Sequence, residues 1–282
     1  MERTDRNRPG NVHGDALESE KTRSLGSPVL HVREVSVSAR NVRILNRVSF
    51  AVNAGEVFGI LGPSGAGKST LLRTINRLIE LQPGFRVSGE IVYRGQQVLG
   101  RGVDADALRA RIGIVFQQPV VFPASIQENV LFGVRRVKRV PRSQRAEIVE
   151  RSMREAHIWG ELRDRLRESA RNLSVGQRQR LCLARALAMD PEMLLMDEPT
   201  SALDARSGTA IEELILHIRE IRPVILVTHN IEQARRVTDR IACLCVRNGT
   251  GEILEQGCCD AVFGNPECRA LFERMEEADT EA

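Results

Sequence analysis

The feature that most constrains the fold is a glycine-rich stretch, Gly62–Ser69 (GPSGAGKS), set between an apolar run and a helical pattern. The run Val57–Leu61 has the length and composition of a buried strand, and leucine and isoleucine recur at helical spacing after the stretch. In this context the pattern Gly-x-x-x-x-Gly-Lys-Ser binds phosphate, because glycines let backbone N–H groups face phosphate oxygens and the helix N-terminus adds its positive dipole end. The stretch therefore predicts a phosphate cradle rather than a chance glycine-rich turn.

Individual residues of this loop have expected roles. Lys68 is expected to reach the β- and γ-phosphates of a nucleotide, and the Ser69 hydroxyl to hold Mg²⁺. Nucleotide binding by the loop is assigned to Gly62, Pro63, Ser64, Gly65, Ala66, Gly67, Lys68, Ser69 and Thr70.

A second candidate for metal and water chemistry is the pair Asp197-Glu198. The pair ends the apolar run Met193–Met196, which has the pattern of a buried parallel strand. An aspartate at the carboxyl end of such a strand would contact Mg²⁺ directly or through water. Glu198 is the candidate general base, placed to polarise the water that attacks the γ-phosphoryl group. Alone the pair would be two surface carboxylates, but together with Lys68 it predicts a site for nucleotide hydrolysis.

Further motifs follow in a fixed order, and together they point to a family. Over about residues 30–265 the chain resembles the ATP-binding subunits of ATP-binding cassette (ABC) transporters. The resemblance implies an α/β fold, with a P-loop NTPase (RecA-like) core, an antiparallel β lobe and an inserted α-helical subdomain. The motifs that carry it are the phosphate loop, Phe116–Pro119 (FQQP), the signature Leu173–Gln177 (LSVGQ), Asp197-Glu198, Ser201–Asp204 (SALD) and His229.

The resemblance also implies how the subunit is assembled. Two copies are expected to pack head to tail, with each ATP between the phosphate loop of one copy and the signature of the other, so that both sites are equivalent. The pair is expected to dock peripherally on transmembrane permease subunits at the cytoplasmic face of the plasma (inner) membrane. An extracytoplasmic binding protein would deliver the solute, and no nucleic acid is expected as a partner. ATP and Mg²⁺ are the implied ligands.

Residue roles follow from the same resemblance. Ser174, Gly176 and Gln177 are expected to contact the nucleotide held by the partner copy, and Asp204 to belong to a loop that communicates across the pair. Gln117 is expected to sense Mg²⁺ and to couple to the membrane subunits, while His229 is expected to contact the γ-phosphate. The implied catalytic set is Glu198, His229 and Lys68, and the implied Mg²⁺ set is Ser69, Gln117 and Asp197.

Two of these assignments have an ordinary structural alternative. Ser174 stands just before a helical run with an apolar face, and a helix N-terminus there would favour the partner's phosphate. The same residue could simply cap the helix, and the two roles are compatible. His229 follows the apolar strand pattern Val224–Val227 and alone would be structural. A phosphate site predicted at the same sheet edge favours the functional role.

Segments away from the ATP chemistry resemble the phosphate-import branch of the family. The most distinctive are Phe122–Ile126 (FPASI) and Leu181–Arg185 (LCLAR). Substrate choice is made by other subunits, so these segments indicate lineage and partner rather than catalysis. The implied solute is inorganic phosphate, with another anion or solute as the alternative.

The chain departs from the family pattern at two places. The third signature position is Val175 instead of glycine, and its side chain would crowd the partner's phosphate or point outward; with Ser174 and Gly176 retained, function is expected to survive. The region where the family stacks adenine on an aromatic side chain reads Val35–Arg40, without one. Base–aromatic stacking contributes about 1–3 kcal/mol per base, and Arg40 would replace it only in part. We therefore expect weaker ATP affinity and poorer discrimination between ATP and GTP.

Composition limits the classes of protein. The chain has 282 residues, of which 42% are hydrophobic, enough for a real core in one large or two small domains. No stretch approaches the roughly 20 continuous apolar residues that span a bilayer. Met1–Pro28 lacks the apolar centre of a secretory signal and is expected to be a flexible tail. The net charge of +4 is too mild to argue for nucleic acid.

Local charge and the cysteines give weaker signals. The basic run Arg135–Arg139 (RRVKR) could touch anionic lipid headgroups or a partner, although a solvated face of the helical lobe is the favoured interpretation. The six cysteines lack zinc-ligand spacing and are expected to be reduced thiols.

The chain is expected to divide into a flexible tail at 1–28, an ABC ATPase domain at 29–265 and an acidic C-terminal tail at 266–282. Within the domain, about 29–58 and 86–98 are expected as strands of the antiparallel lobe. The helical subdomain is expected at about 104–190, and the alternation of strand and helix after it indicates a parallel sheet. Because the sequence has no internal repeat, the second nucleotide site must come from another molecule.

Two other classes of function stay open. A soluble ABC ATPase acting on nucleic acid or ribosomes would have similar site chemistry, but such proteins commonly carry a long coiled-coil insertion or two cassettes, and this chain has neither. A non-hydrolysing regulatory subunit is disfavoured by Lys68, Asp197, Glu198 and His229, although Val175 keeps it open. An exporter is disfavoured because no membrane domain is fused to the chain.

Overall fold

The computed structural model describes residues 26–100, 102–138 and 140–280. The expected tail, 1–28, therefore lies almost wholly outside the described residues. Its last part is tied to the fold, because the Gly26 N–H donates to the Ala54 carbonyl at 3.3 Å and the Ala54 N–H donates to the Ser27 carbonyl at 3.1 Å. The first strand begins at Pro28, one residue before the expected boundary.

Ten strands of the described chain form one sheet, whose order is β5-β4-β1-β2-β10-β9-β3-β8-β7-β6. In chain order the strands are β1 (Pro28–Ala39), β2 (Val42–Asn53), β3 (Val57–Leu61), β4 (Phe85–Tyr93), β5 (Gln96–Gln97), β6 (Ile112–Val115), β7 (Met193–Asp197), β8 (Val224–Thr228), β9 (Arg240–Arg247) and β10 (Thr250–Cys258).

One half of the sheet is an antiparallel lobe. β1 pairs with β2 on one side and β4 on the other, and β4 pairs with the short β5. β2 ends at Asn53 and β4 at Tyr93, and each is followed by a two-residue turn. Buried residues recur along β1 and β2 between partly or fully exposed ones, as in strands that place one face on a core.

The other half of the sheet is parallel and buried. β6, β7, β8 and β3 run parallel in that order, and β9 lies parallel on the far side of β3. All five residues of β3, of β7 and of β8 are buried. Successive residues of β7 belong to different buried clusters: Leu194 shares one with Leu181 and Ile211, whereas Leu195 shares the other with Leu72. The sheet is therefore covered on both faces, as in a mixed α/β fold.

The helices of the described chain cover this sheet and build a separate lobe, and none of them combines the length and apolar character of a bilayer-crossing segment. They are α1 (Lys68–Ile75), α2 (Ala105–Arg111), α3 (Ile126–Gly133), α4 (Arg145–Glu155), α5 (Trp159–Leu162), α6 (Val175–Leu187), α7 (Ala205–Arg219), α8 (Ile231–Val237), α9 (Cys259–Gly264) and α10 (Pro266–Thr280), with short 3-10 and π turns between some of them.

The helical lobe comprises α2 to α6 and lies within residues 105–187, with β6 inserted near its start. Capping boxes start two of its helices: Ser125 with Glu128 at α3, and Ser174 with Gln177 at α6. Most of its buried apolar residues belong to the same cluster as one face of β7, so the lobe packs directly on the parallel half of the sheet.

The prediction of an acidic tail at 266–282 is wrong for the described part of that segment, because residues 266–280 form the helix α10. Cys268, Phe272 and Met275 are buried in a cluster with Ile241 of β9. These three residues are spaced by four and three positions, so they fall on one helix face. Exposed acidic residues, Glu267, Glu273, Glu276 and Glu277, lie at other positions of the helix, so the composition of the segment does not reveal this apolar face.

Candidate nucleotide site

The phosphate loop connects the carboxyl end of β3 to α1. Gly62 has no room for a side chain, because an added Cβ would lie 2.3 Å from the Leu244 carbonyl oxygen of β9. Gly67, just before α1, has a φ of 90°, in the left-handed region that favours glycine. The loop therefore needs glycine at Gly62 for space and at Gly67 for backbone conformation.

Lys68 is the first residue of α1 and only 5% exposed. Its Nζ donates to the carbonyl oxygens of Gly62 at 2.7 Å and of Pro63 at 3.0 Å. The same nitrogen lies 3.7 Å from Glu198 Oε1. The ammonium group is therefore held between the phosphate loop and the acidic end of β7, the place where the γ-phosphate of a nucleotide is expected.

Ser69 and Asp197 form a compact pair of oxygen ligands. Ser69 Oγ donates to Asp197 Oδ1 at 2.9 Å. Asp197 ends β7 and is 4% exposed; burial raises its pKa above the usual range, and the hydrogen bond from Ser69 opposes that rise. Hydroxyl and carboxylate oxygens are the ligands that Mg²⁺ takes, and the metal's charge would favour the ionised aspartate. These residues therefore fit the expected magnesium ion.

Glu198 follows β7 with a φ of 46°, a conformation that costs a non-glycine residue about 1–3 kcal/mol. Its carboxylate collects groups from three other segments. Glu198 Oε2 lies 3.1 Å from His229 Nδ1 and accepts a hydrogen bond from Gln117 Nε2 at 3.1 Å. The predicted general base, Glu198, therefore lies at the carboxyl ends of β7 and β8, close to Gln117, His229 and Lys68.

The two neighbouring carboxylates have opposite electrostatic environments. The hydrogen bond with His229 is the main reason that the pKa of Glu198 lies below its usual range, with burial opposing and Lys68 assisting. The pKa of Asp197 is raised instead. A pair of titratable groups pushed apart in this way is typical of a site where each has a separate task. The ionised Glu198 can accept a proton, as a general base must.

The signature begins the helical lobe's α6. Ser174 Oγ accepts the Gln177 N–H, and Gln177 Oε1 accepts the Ser174 N–H, both at 3.2 Å. Gln177 Nε2 donates to Glu161 Oε2 at 3.0 Å. The capping role of Ser174 is therefore confirmed. Contact of Ser174, Gly176 and Gln177 with a partner's nucleotide stays a prediction.

Gly176 packs on α7. A Cβ added there would lie 2.9 Å from Ser207 Oγ. Ser207 in turn donates its hydroxyl to Asp204 Oδ2 at 2.8 Å, and Asp204 caps α7. Asp204, of the loop expected to communicate across the pair, is thus connected through Ser207 to the signature helix of its own chain. Val175 is 38% exposed, so its side chain points outward in the single chain.

The remaining predicted residues are placed as follows. Gln117 bonds to Glu198, so its direct role toward Mg²⁺ stays a prediction. The motifs did not indicate Glu161 or Ser207, because both act through contacts between distant segments that no single-sequence pattern records. The other residues assigned to nucleotide binding lie in the loop and the first turn of α1: Pro63, Ser64, Gly65, Ala66 and Thr70.

Comparisons with known proteins identify the family. Residues 45–201 match the family model described as ABC transporter. The phosphate import ATP-binding protein PstB of Oceanobacillus iheyensis is 43% identical over 238 residues, which cover 84% of this chain and 85% of that protein. The phosphate import ATP-binding protein PstB 2 of Shouchella clausii is 43% identical over 239 residues, covering 85% and 87%.

A solved structure agrees as well. CbiO1 from Clostridium perfringens, described as part of the ABC transporter complex cbiONQ, is similar with a TM-score of 0.71 and 28% identity. The similarity covers 89% of this chain and 97% of that one. The fold and the resemblance predicted from the motifs are thereby confirmed. The chain belongs to the ABC transporter family, as one of its ATP-binding subunits.

Proposed function

We propose that this chain hydrolyses ATP to power the import of inorganic phosphate through a membrane permease. The observation that carries the hydrolytic role is the position of Glu198, whose carboxylate oxygens lie 3.7 Å from Lys68 Nζ and 3.1 Å from His229 Nδ1. The choice of phosphate is supported by the names of the two PstB relatives and by the segments Phe122–Ile126 and Leu181–Arg185.

The residues at the site divide the chemistry. The phosphate loop and Lys68 bind the β- and γ-phosphates. Glu198, held ionised by its neighbours, accepts a proton from the attacking water. His229 orients the Glu198 carboxylate and lies where it can contact the γ-phosphate. Lys68, close to both the loop and Glu198, stabilises the charge on the transferred group.

Ser69 and Asp197 would hold Mg²⁺, with Gln117 near it. When bound, the ion supplies charge neutralisation on the phosphate oxygens. The Ser69–Asp197 hydrogen bond keeps these two ligands together at the end of β7 and the start of α1.

Transport requires a second copy and a permease. In our proposal two copies bind head to tail, and Ser174, Gly176 and Gln177 of each contact the nucleotide in the other. We propose that the permease contacts the surface beside Gln117, where two apolar side chains are exposed: Phe116 by 42% and Val120 by 61%. The pair is then peripheral at the cytoplasmic face of the plasma (inner) membrane and receives phosphate that an extracytoplasmic binding protein delivers.

The test is uptake of labelled inorganic phosphate by phosphate-starved source cells that carry either the normal chain or Lys68→Ala. We expect Lys68→Ala to abolish the uptake, because the phosphate loop loses its cation. Arg269→Ala removes an exposed positive charge on α10 and is the matched control, expected to transport normally. Sulfate uptake measured in the same cells controls for general loss of energy supply.

Each result is informative. Loss of phosphate uptake alone supports the proposal, with Val175 compatible with turnover. Normal phosphate uptake with Lys68→Ala expressed at the normal level contradicts it. In that case, proteins that copurify with the chain would direct the choice between another solute and a non-transport role.

A further inference from the structure

The antiparallel lobe ends in a short row of apolar side chains. Ala39, the last residue of β1, lies opposite Phe85 of β4 and opposite Val42 of β2. Directly opposed residues of antiparallel strands share a face of the sheet, so these three side chains form one row, here called the rim row. Val42 is 66% exposed, and Ala39 and Phe85 are half-buried. The lobe therefore presents an open apolar shelf that contains one aromatic ring.

The rim row lies on the face that supports the phosphate loop. Ala39 and Val37 are two positions apart on β1 and so share a face. Val37 lies opposite Leu45 of β2, and a Cβ added to Gly67 of the phosphate loop would come within 2.7 Å of Leu45 Cδ2. The face that packs against the loop at Leu45 therefore continues outward to the rim row.

The chain holds this row in position. The Arg40 N–H, at the tip of the β1–β2 hairpin, donates to the Gly84 carbonyl at 2.7 Å. The Arg40 stem also lies against Gly84, since a Cβ added there would be 3.4 Å from Arg40 Cγ. This contact ties the hairpin tip to the residue before Phe85. The backbone at Phe85, from which the ring projects, is therefore fixed relative to Ala39 before any ligand binds.

We propose that the rim row binds the base of the nucleotide, with Phe85 as the stacking side chain. The inference rests on the proposed function, which places the phosphates in the loop. A planar heteroaromatic base fits well against an apolar surface with an aromatic ring, because apolar surface of both the base and the protein is removed from water. Ala39, Val42 and Phe85 offer no hydrogen-bonding side-chain group. The row therefore holds a base firmly without distinguishing adenine from guanine.

A base stacked on Phe85 changes one expectation from the sequence and leaves another unchanged. The absence of an aromatic residue in Val35–Arg40 led us to expect weak ATP affinity. In the fold, the strand next to Ala39 supplies the missing ring, so the contribution of stacking to affinity is retained. Poor discrimination between ATP and GTP remains expected, since stacking accepts every base.

The test is calorimetric binding of Mg·ADP, Mg·GDP and tripolyphosphate to the full chain. We expect Phe85→Ala and Phe85→Leu to weaken Mg·ADP binding by about 5- to 150-fold, the range that stacking covers, and to leave tripolyphosphate binding unchanged. Phe85→Leu keeps the apolar volume and guards against loss of folding. Phe85→Tyr, which keeps the ring, should bind like the parent. Adding Ala39→Tyr to Phe85→Ala should restore affinity.

The outcomes separate this inference from the proposed function. Unchanged Mg·ADP affinity in Phe85→Ala and Phe85→Leu, with binding still lost in Lys68→Ala, overturns the rim row alone. A strong preference of the parent for ADP over GDP also overturns it, because the row cannot read the base edge. Failure of the parent to bind any of the three ligands overturns the proposed function and the rim row with it.

Discussion

Ser69 and Asp197 are joined by a hydrogen bond of 2.9 Å, although 128 positions separate them in the chain. One oxygen belongs to the first turn of α1 and the other to the end of β7. The fold thus brings together two groups that the sequence assigned separately to Mg²⁺. Substitutions at this pair can therefore distinguish metal-dependent from metal-independent nucleotide binding.

Ser69→Ala and Asp197→Asn should each remove most of the gain in ADP affinity that Mg²⁺ provides. The expected loss is about 10- to 100-fold, as for other residues that hold or orient a metal. Binding of ADP in the presence of a chelator should stay near that of the parent, because the phosphate loop is intact. Calorimetry with and without Mg²⁺ measures both quantities. Ser88→Ala, at an exposed serine of β4, is the control, and an undiminished Mg²⁺ gain in the site variants would count against the assignment.

Glu198→Gln should lower the steady-state ATPase rate by about 10²- to 10⁴-fold, the contribution typical of general acid–base catalysis. The amide oxygen can still accept hydrogen bonds from Gln117 and His229, so nucleotide binding should persist. At saturating Mg·ATP the variant should therefore accumulate as a dimer, measured by light scattering after size exclusion. A variant that stays monomeric under these conditions would contradict the head-to-tail pair.

The parts of the site that lie within one short segment could be predicted from the sequence. The strand, loop and helix around Lys68 are contiguous, and Asp197-Glu198 directly follow an apolar strand, so local pattern and motif suffice there. The distances between them could not be predicted, because they depend on the sheet order. That order places β8 between β3 and β7 and so brings His229 to Glu198.

Other features depended on contacts that no local pattern contains. Phe85 lies beside Ala39 only through the β1–β4 register, and the sequence around Ala39 alone suggested a missing ring. Glu161 reaches Gln177 across the helical lobe. α10 was missed for a different reason, since its acidic exposed face outweighed three apolar residues in the composition.

The cysteines should differ sharply in reactivity. Burial raises the pKa of the thiols of Cys182, Cys243, Cys245 and Cys268, whereas Cys258 is exposed. Because the thiolate is the reactive form, a thiol reagent at mild alkaline pH should modify Cys258 first in the native protein.

The corresponding experiment is a timed thiol titration of the native and the denatured protein. Cys258→Ser should remove the fast phase of the native reaction. Denaturation without reductant should expose all six thiols, and fewer than six would contradict the expectation of a reduced chain. A fast phase that survives Cys258→Ser would show that the half-buried Cys259 or one of the four buried thiols is also accessible.

A buried ion pair connects the helical lobe to the core. Arg222, between α7 and β8, places Nη2 3.0 Å from Oε1 of Glu155 at the end of α4, and the two side chains are 6% and 13% exposed. Removing one partner of such a pair leaves an uncompensated buried charge and costs about 3–5 kcal/mol. Arg222→Met should therefore lower the free energy of unfolding in urea by about 3 kcal/mol. Adding Glu155→Leu should recover part of the loss.

The pH dependence of that loss identifies its cause. Burial raises the pKa of Glu155 above 4.5, and Arg222 opposes the rise. A carboxyl group with a raised pKa in the fold favours the protonated state, so its relative stabilisation is present below 4.5 and is lost as pH rises through the folded pKa. Without Arg222 the pKa should rise further. The stability deficit of Arg222→Met should hence be largest near neutral pH and shrink as the pH falls toward the usual carboxyl range. A deficit that does not change with pH would mean that lost packing, and not an unpaired Glu155 charge, destabilises the variant.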